Sequence, residues 1–163
     1  MQNHELYPEH HFINGQWIKG EGEVFHSINP ATQKTFWQGR EALETEVEAA
    51  VKAAQVAYPT WALQAFEDRA EIVKKYAAIV TEKKETLAKL ISMENGKPYW
   101  EALTEAAAVI GKIDLSIKAY LERTGEQHFA SAGGDTWLRY KPHGVVAVLA
   151  PFNFPAHLSN GHI

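Results

Sequence analysis

The 163-residue sequence contains no cysteine, and that absence removes three kinds of chemistry at once: a disulfide framework, a thiolate metal site and a cysteine nucleophile within these residues. Excess charge of one sign is missing too. The 16 basic and 20 acidic residues leave a formal net charge of −4, and no basic cluster exceeds a pair of lysines. The electrostatic footprint of a protein that binds nucleic acid or an anionic membrane is therefore absent. No apolar stretch approaches the roughly 20 residues that span a bilayer. The polar, His/Glu-rich opening Met1–Phe12 lacks the apolar core of a signal peptide. A cytoplasmic, soluble protein is the expectation.

Nucleotide fingerprints are missing as well. No G-x-G-x-x-G follows a strand-like run: Gly20-Glu21-Gly22 lacks the third glycine and the helix. Gly96-Lys97 lacks the upstream glycine and the following Ser/Thr of a P-loop, and reads as a helix stop. The eight histidines assemble no metal motif. His10-His11 are adjacent in a terminal segment and His157 and His162 stand five apart, whereas helical chelation uses i, i+4.

What remains is an ordinary globular composition, 45% hydrophobic and 22% charged, with well-punctuated elements. Phe12–Ile18 reads as a hairpin turning at Asn14-Gly15. Val24–Ile28 ends at the Asn29-Pro30-Ala31-Thr32 turn and pairs with Thr35–Gln38. A first helix is predicted from a capping box at Thr45–Glu48, with Thr45 as N-cap, to a stop at Pro59; Val47, Ala50, Val51, Ala54 and Tyr58 share one face. A longer one runs from Phe66 to Met93 and ends at Asn95-Gly96-Lys97-Pro98, where Gly96 supplies a left-handed cap. A third spans Tyr99–Arg123 with Trp100, Leu103, Ala107, Ile110, Ile113, Ile117 and Tyr120 inward. Gly111 in its middle would be explained by a close helix crossing. Glu94, Glu101 and Glu105 read as solvated structural glutamates around the junction.

After Gly125 the pattern changes. Ala130–Asp135 reads as a turn, and Thr136–Lys141 alternates like a half-exposed strand, either an edge meant for a partner or an ordinary surface hairpin. Pro142-His143-Gly144 then opens the unbroken apolar run Val145–Leu149, the pattern of a strand buried on both faces of a parallel sheet. Ligands of open α/β folds bind where such strands end. Ala150-Pro151-Phe152-Asn153-Phe154-Pro155 stands there, stiffened by two prolines. Asn153 has two readings: a turn residue bonded to nearby backbone while the phenylalanines fill the core, or an amide donor for an oxyanion.

The sequence resembles the N-terminal portion of the aldehyde dehydrogenase superfamily along nearly its whole length. The pieces occur in the family's order: Phe12–Trp17, Ile28-Asn29-Pro30-Ala31-Thr32, the helix with Arg69, Glu94-Asn95-Gly96-Lys97-Pro98, Pro142–Val146 and Pro151–Pro155. Within it, Asn153–His162 resembles a branch acting on an N-succinylated amino-acid semialdehyde of bacterial arginine catabolism; another semialdehyde dehydrogenase of the same superfamily is the alternative, and a non-catalytic assembly module the alternative of a different class. The resemblance implies an α/β fold read as an opening third. Residues 1–123 would supply strands and helices flanking the cofactor-binding domain. Residues 124–143 would form part of an oligomerisation arm, making a homo-oligomer, and 144–163 the first strand and active-site loop of a Rossmann-like sheet.

The same resemblance implies a chemistry. A cysteine thiolate attacks the aldehyde, hydride passes to NAD (NADP is not excluded), and a glutamate-activated water hydrolyses the thioester. Asn153 matches the asparagine whose amide stabilises the developing oxyanion, and Ala150, Pro151, Phe152 and Asn153 match the stretch along the cofactor's ribose. Members usually carry tryptophan where Phe152 stands. The matching cysteine and glutamate would lie beyond Ile163, so this chain is expected to be inactive alone, to bind NAD weakly or not at all, and to expose apolar patches that promote association.

Overall fold

In the computed structural model, which describes residues 10–162, the expected reversal at Asn14-Gly15 joins β1 (His10–Ile13) to β2 (Gln16–Lys19). Both turn residues have positive φ, 52° and 77°, as a type I′ turn requires. The register sets Phe12 opposite Trp17, with ring centroids 4.9 Å apart. The opening residues read above for a signal peptide lie, before His10, outside the described residues. A second ribbon pairs β3 (Val24–Asn29) with β4 (Lys34–Arg40), again as expected. Asn29 Oδ1 accepts from the N–H groups of Ala31 and Thr32 at 2.9 and 3.3 Å, so its side chain builds the turn.

The first two helical expectations need correction. α1 (Glu44–Leu63) is capped by Leu43, not Thr45. Glu46 Oε2 accepts from the Leu43 N–H at 2.8 Å. Only this half of a capping box needs a carboxylate, so the cap residue itself can be apolar. The helix also passes through Pro59 and ends at Leu63. Proline removes its own N–H bond, yet the added turn gains Trp61, whose ring lies 5.9 Å from the Arg69 guanidinium. The expected long helix is two, α2 (Phe66–Glu82) and α3 (Lys84–Asn95), broken at Lys83 with φ −99° and ψ 10°. No glycine or proline marks the break. Thr81 Oγ1 donates to the Ala77 carbonyl at 2.8 Å, a back-bond that bends helices.

Gly96 adopts the expected left-handed cap, φ 78°, and α4 (Tyr99–Arg123) has the expected ends. Its buried face agrees with expectation at Ile113 and in part at Leu103, and differs elsewhere. Ala102, Glu105, Ala106, Val109 and Ile113 point inward, whereas Trp100 is 68% exposed. The reason is the contact with α3. Ala88 packs against Ala102 and Ala106 in one cluster with Ile91, and small side chains let the two backbones approach where indole would hold them apart. Glu105 falls on that inward stripe. Among the described residues no crossing covers Gly111, since a Cβ built there meets nothing within 4 Å.

The expected strand after Gly125 is one half of a ribbon, β5 (Glu126–Ser131) and β6 (Gly134–Arg139). Ala130, Ser131, Gly134 and Asp135 belong to the ladder, which narrows the expected turn to Ala132-Gly133. Every position of both strands is exposed. The described residues hold four α-helices, a short 3-10 helix and three two-stranded antiparallel sheets, an α/β composition. Val145–Leu149 forms no strand among them, and Leu149 is 94% exposed. A parallel strand needs a neighbour to complete its ladder, and none lies beside this run among the described residues. Apolar exposure extends to Leu63 and Phe152, in keeping with the expected uncovered patches.

Candidate active site

The loop that follows Leu149 is held from below by an ion pair that the sequence reading missed. Lys97, one residue past the Gly96 cap, sends its ammonium to Glu105 Oε2 at 2.5 Å. The same ammonium donates to the Asn153 carbonyl at 2.8 Å and lies 4.3 Å from the centre of the Phe154 ring. Glu105, 3% exposed, turns its other oxygen to the loop and accepts from the N–H groups of Ala156 and His157 at 3.0 and 3.2 Å. Glu105 is thus not the solvated glutamate expected. Its spacing from Ala102, Ala106 and Val109 placed it on a helix stripe; a carboxylate among small inward residues was the available signal. Glu94 is partly engaged, accepting from Ser27 Oγ at 2.6 Å, and Glu101 is half-buried.

Beyond Pro155 the chain winds into helical turns that the sequence reading did not anticipate. The Asn160 N–H donates to the Ala156 carbonyl at 3.1 Å, and a 3-10 turn covers Ser159–His162. A second anchor sits here. Asn160, 5% exposed, donates Nδ2 to the Val109 carbonyl at 3.1 Å and accepts from the Tyr76 hydroxyl at 2.9 Å. Burial pushes the Tyr76 hydroxyl above its usual range. Glu105 and Val109 are one turn apart on α4, so a single helix face grips the loop at both ends.

Between those anchors the Asn153 side chain is exposed and makes no hydrogen bond among the described residues. Its carbonyl, not its amide, is committed to the scaffold. Phe152 is 88% exposed, so it does not fill the core as one of the two readings had it. Ala150 is exposed and Pro151 half-buried, and no described donor bonds the carbonyls of Ala150, Pro151 or Phe152. Free acceptors on a stiff, accessible backbone fit a ribose, whose hydroxyls donate. Further along the loop, Pro155 and Ala156 border an apolar cleft of about 500 Å³, lined also by Phe25, Trp37 and Leu90 among others. No cluster of three metal-ligating side chains occurs among the described residues, and no helix among them is long and apolar enough to cross a membrane.

Comparison with known proteins adds an independent line. The aldehyde dehydrogenase family model matches residues 17–163. The N-succinylglutamate 5-semialdehyde dehydrogenase of Chromobacterium violaceum is 51% identical over 152 residues, covering 93% of this chain and 31% of that protein. Among solved structures, an Escherichia coli NADP-dependent enzyme superposes with a TM-score of 0.88 at 27% identity, over 98% of this chain and 34% of its own. A Sinorhizobium meliloti 1021 protein described as a methylmalonate-semialdehyde dehydrogenase, complexed with NAD, gives 0.82 at 26% identity, over 91% and 30%. The chain thus spans about a third of the length of the relatives it matches.

Proposed function

Because the chain belongs to the aldehyde dehydrogenase family, we propose that it forms the oxyanion-stabilising and ribose-holding part of an NAD-linked enzyme that oxidises N-succinylglutamate 5-semialdehyde to N-succinylglutamate in arginine catabolism, with NADP as the alternative cofactor. The observation that carries this reading is the state of Asn153. Its backbone is locked by Lys97 at 2.8 Å while its amide stays free at the surface. With the backbone held, only the two side-chain torsions of Asn153 remain to be ordered when the aldehyde oxygen becomes anionic, and one oxyanion donor is worth about 10²–10³ in turnover.

The cofactor supplies the hydride acceptor. Ala150, Pro151 and Phe152 would hold its ribose through their carbonyls, and Asn153 would turn its amide toward the substrate oxygen. The nucleophile is not among these residues, since the chain has no cysteine; the 163 residues alone are therefore inactive. The β5–β6 ribbon, exposed along both strands, would join a neighbouring subunit's sheet in a homo-oligomer. That same exposure is what favours the second reading, an assembly module without catalysis.

The test is a chimera in which residues 1–163 replace the matching segment of the Chromobacterium violaceum relative. Asn153→Ala should lower kcat about 10²–10³-fold while the Kd for NAD changes less than about threefold. A kcat within threefold of the parent chimera removes the oxyanion role. Aldehyde-dependent NADH formation by the 163-residue chain itself would overturn its assignment as a part lacking the nucleophile.

A further inference from the structure

Lys112 sits one turn beyond Val109 on α4, on the side that grips the loop. A Cβ built on Gly161 would stand 2.8 Å from Lys112 Cε and 3.4 Å from its Nζ. The lysine therefore lies back across the turn that follows Asn160 instead of extending into solvent. Gly161 is not among the residues with positive φ, so its conformation does not call for glycine. What glycine provides there is room, and Lys112 uses it.

The charge on Lys112 is also uncommitted. Lys97 is neutralised by Glu105, but Lys112 has neither an ion-pair nor a hydrogen-bond partner among the described residues. A half-buried lysine whose ammonium has no counter-charge among the described residues can receive an anion. Resting on the function proposed above, we infer that Lys112, laid across Gly161, binds the remote carboxylate of an acidic semialdehyde whose aldehyde end is held at Asn153.

The rise along α4 favours one carboxylate over the other. Glu105, whose partner Lys97 also holds Asn153, and Lys112 are seven positions apart, about 10 Å of helix axis at ~1.5 Å per residue. An extended chain advances ~1.2 Å per bond. The succinyl carboxyl carbon of N-succinylglutamate 5-semialdehyde is about eight bonds from the aldehyde carbon, roughly 10 Å at that advance. The α-carboxyl carbon is about four bonds away, roughly 5 Å on the same scale, and falls short. Of the two carboxylates, the succinyl one is therefore the one whose span matches that rise along α4.

Two measurements test this. In the chimera, Lys112→Met should lower the ratio of kcat/KM for the succinylated semialdehyde over kcat/KM for propanal by roughly 10- to 100-fold, the worth of a charge-assisted hydrogen bond, mostly through KM. Lys112→Arg should restore the ratio, and Gly161→Val should mimic the loss by displacing the ammonium. An unchanged ratio in Lys112→Met overturns the assignment. A parent chimera that prefers propanal overturns the substrate reading instead, so the two failures are distinct. In the 163-residue chain, millimolar N-succinylglutamate should slow reductive methylation of Lys112 at least threefold relative to the exposed Lys118, read by mass spectrometry. Equal slowing of both lysines, or of neither, removes the anion site whatever the chimera does.

Discussion

Replacing Glu105 with alanine is the sharpest perturbation this architecture offers. Side-chain exposures of 9% for Lys97 and 1% for Glu105 put the pair where an unpartnered charge is costly. Deleting one member of a buried pair costs about 3–5 kcal/mol. The change also strips the acceptor from two loop N–H groups, each worth about 1–3 kcal/mol when left buried and unpaired. These contributions overlap, so we expect a loss near 4 kcal/mol, taken as the middle of the first range. That is a large part of the roughly 5–15 kcal/mol that holds a domain together. Glu105→Gln, which keeps an acceptor for Ala156 and His157, should lose less. The double change Lys97→Met with Glu105→Leu should be milder than Glu105→Ala, because no charge is then stranded. Urea unfolding followed by tryptophan fluorescence gives the energies, and hydrogen exchange at the Ala156 and His157 amides reports the loop directly. A Glu105→Ala loss below about 1 kcal/mol, under the floor for a broken buried pair, would refute the reasoning, as would a double variant no better than the single one.

Gly111→Ala should stabilise the chain by up to about 1 kcal/mol, because the added methyl meets nothing within 4 Å; a lowered melting temperature would show a crossing at that position after all. Tyr76 makes stability sensitive to alkali. Burial raises its folded-state pKa above that of an ordinary tyrosine, so the folded form holds its proton more tightly than the unfolded chain. That contribution is complete below the unfolded pKa and is lost as pH rises through the folded one. Tyr76→Phe should flatten the fall in urea midpoint above pH 10, and an identical alkaline slope in both proteins would discount the hydroxyl.

Local punctuation was legible wherever one residue type decides the backbone. Asn14-Gly15 marked the first turn and Gly96 with Pro98 marked the junction before α4, because positive φ and a missing N–H act through the residue alone. Signals that depend on partners were not legible. Leu43 caps α1 only through Glu46, Pro59 is carried by a turn that packs Trp61 near Arg69, and the break at Lys83 has no glycine or proline behind it. The same division runs through the site. Asn153 stood out because two prolines framed it, but Glu105 looked like any surface carboxylate until α3 was laid against α4 through Ala88, Ala102 and Ala106. Val145–Leu149 reads as a buried strand because its composition anticipates a neighbouring strand; among residues 10–162 none runs beside it.

Glu105 grips Ala156 and His157 by their main-chain N–H groups, which every residue but proline possesses. These bonds themselves use no side-chain atom of either residue. As far as these two hydrogen bonds go, position 157 can therefore accept any residue but proline while the loop keeps its anchor on α4, so the hold on this stretch and the side chain it presents there are separately mutable.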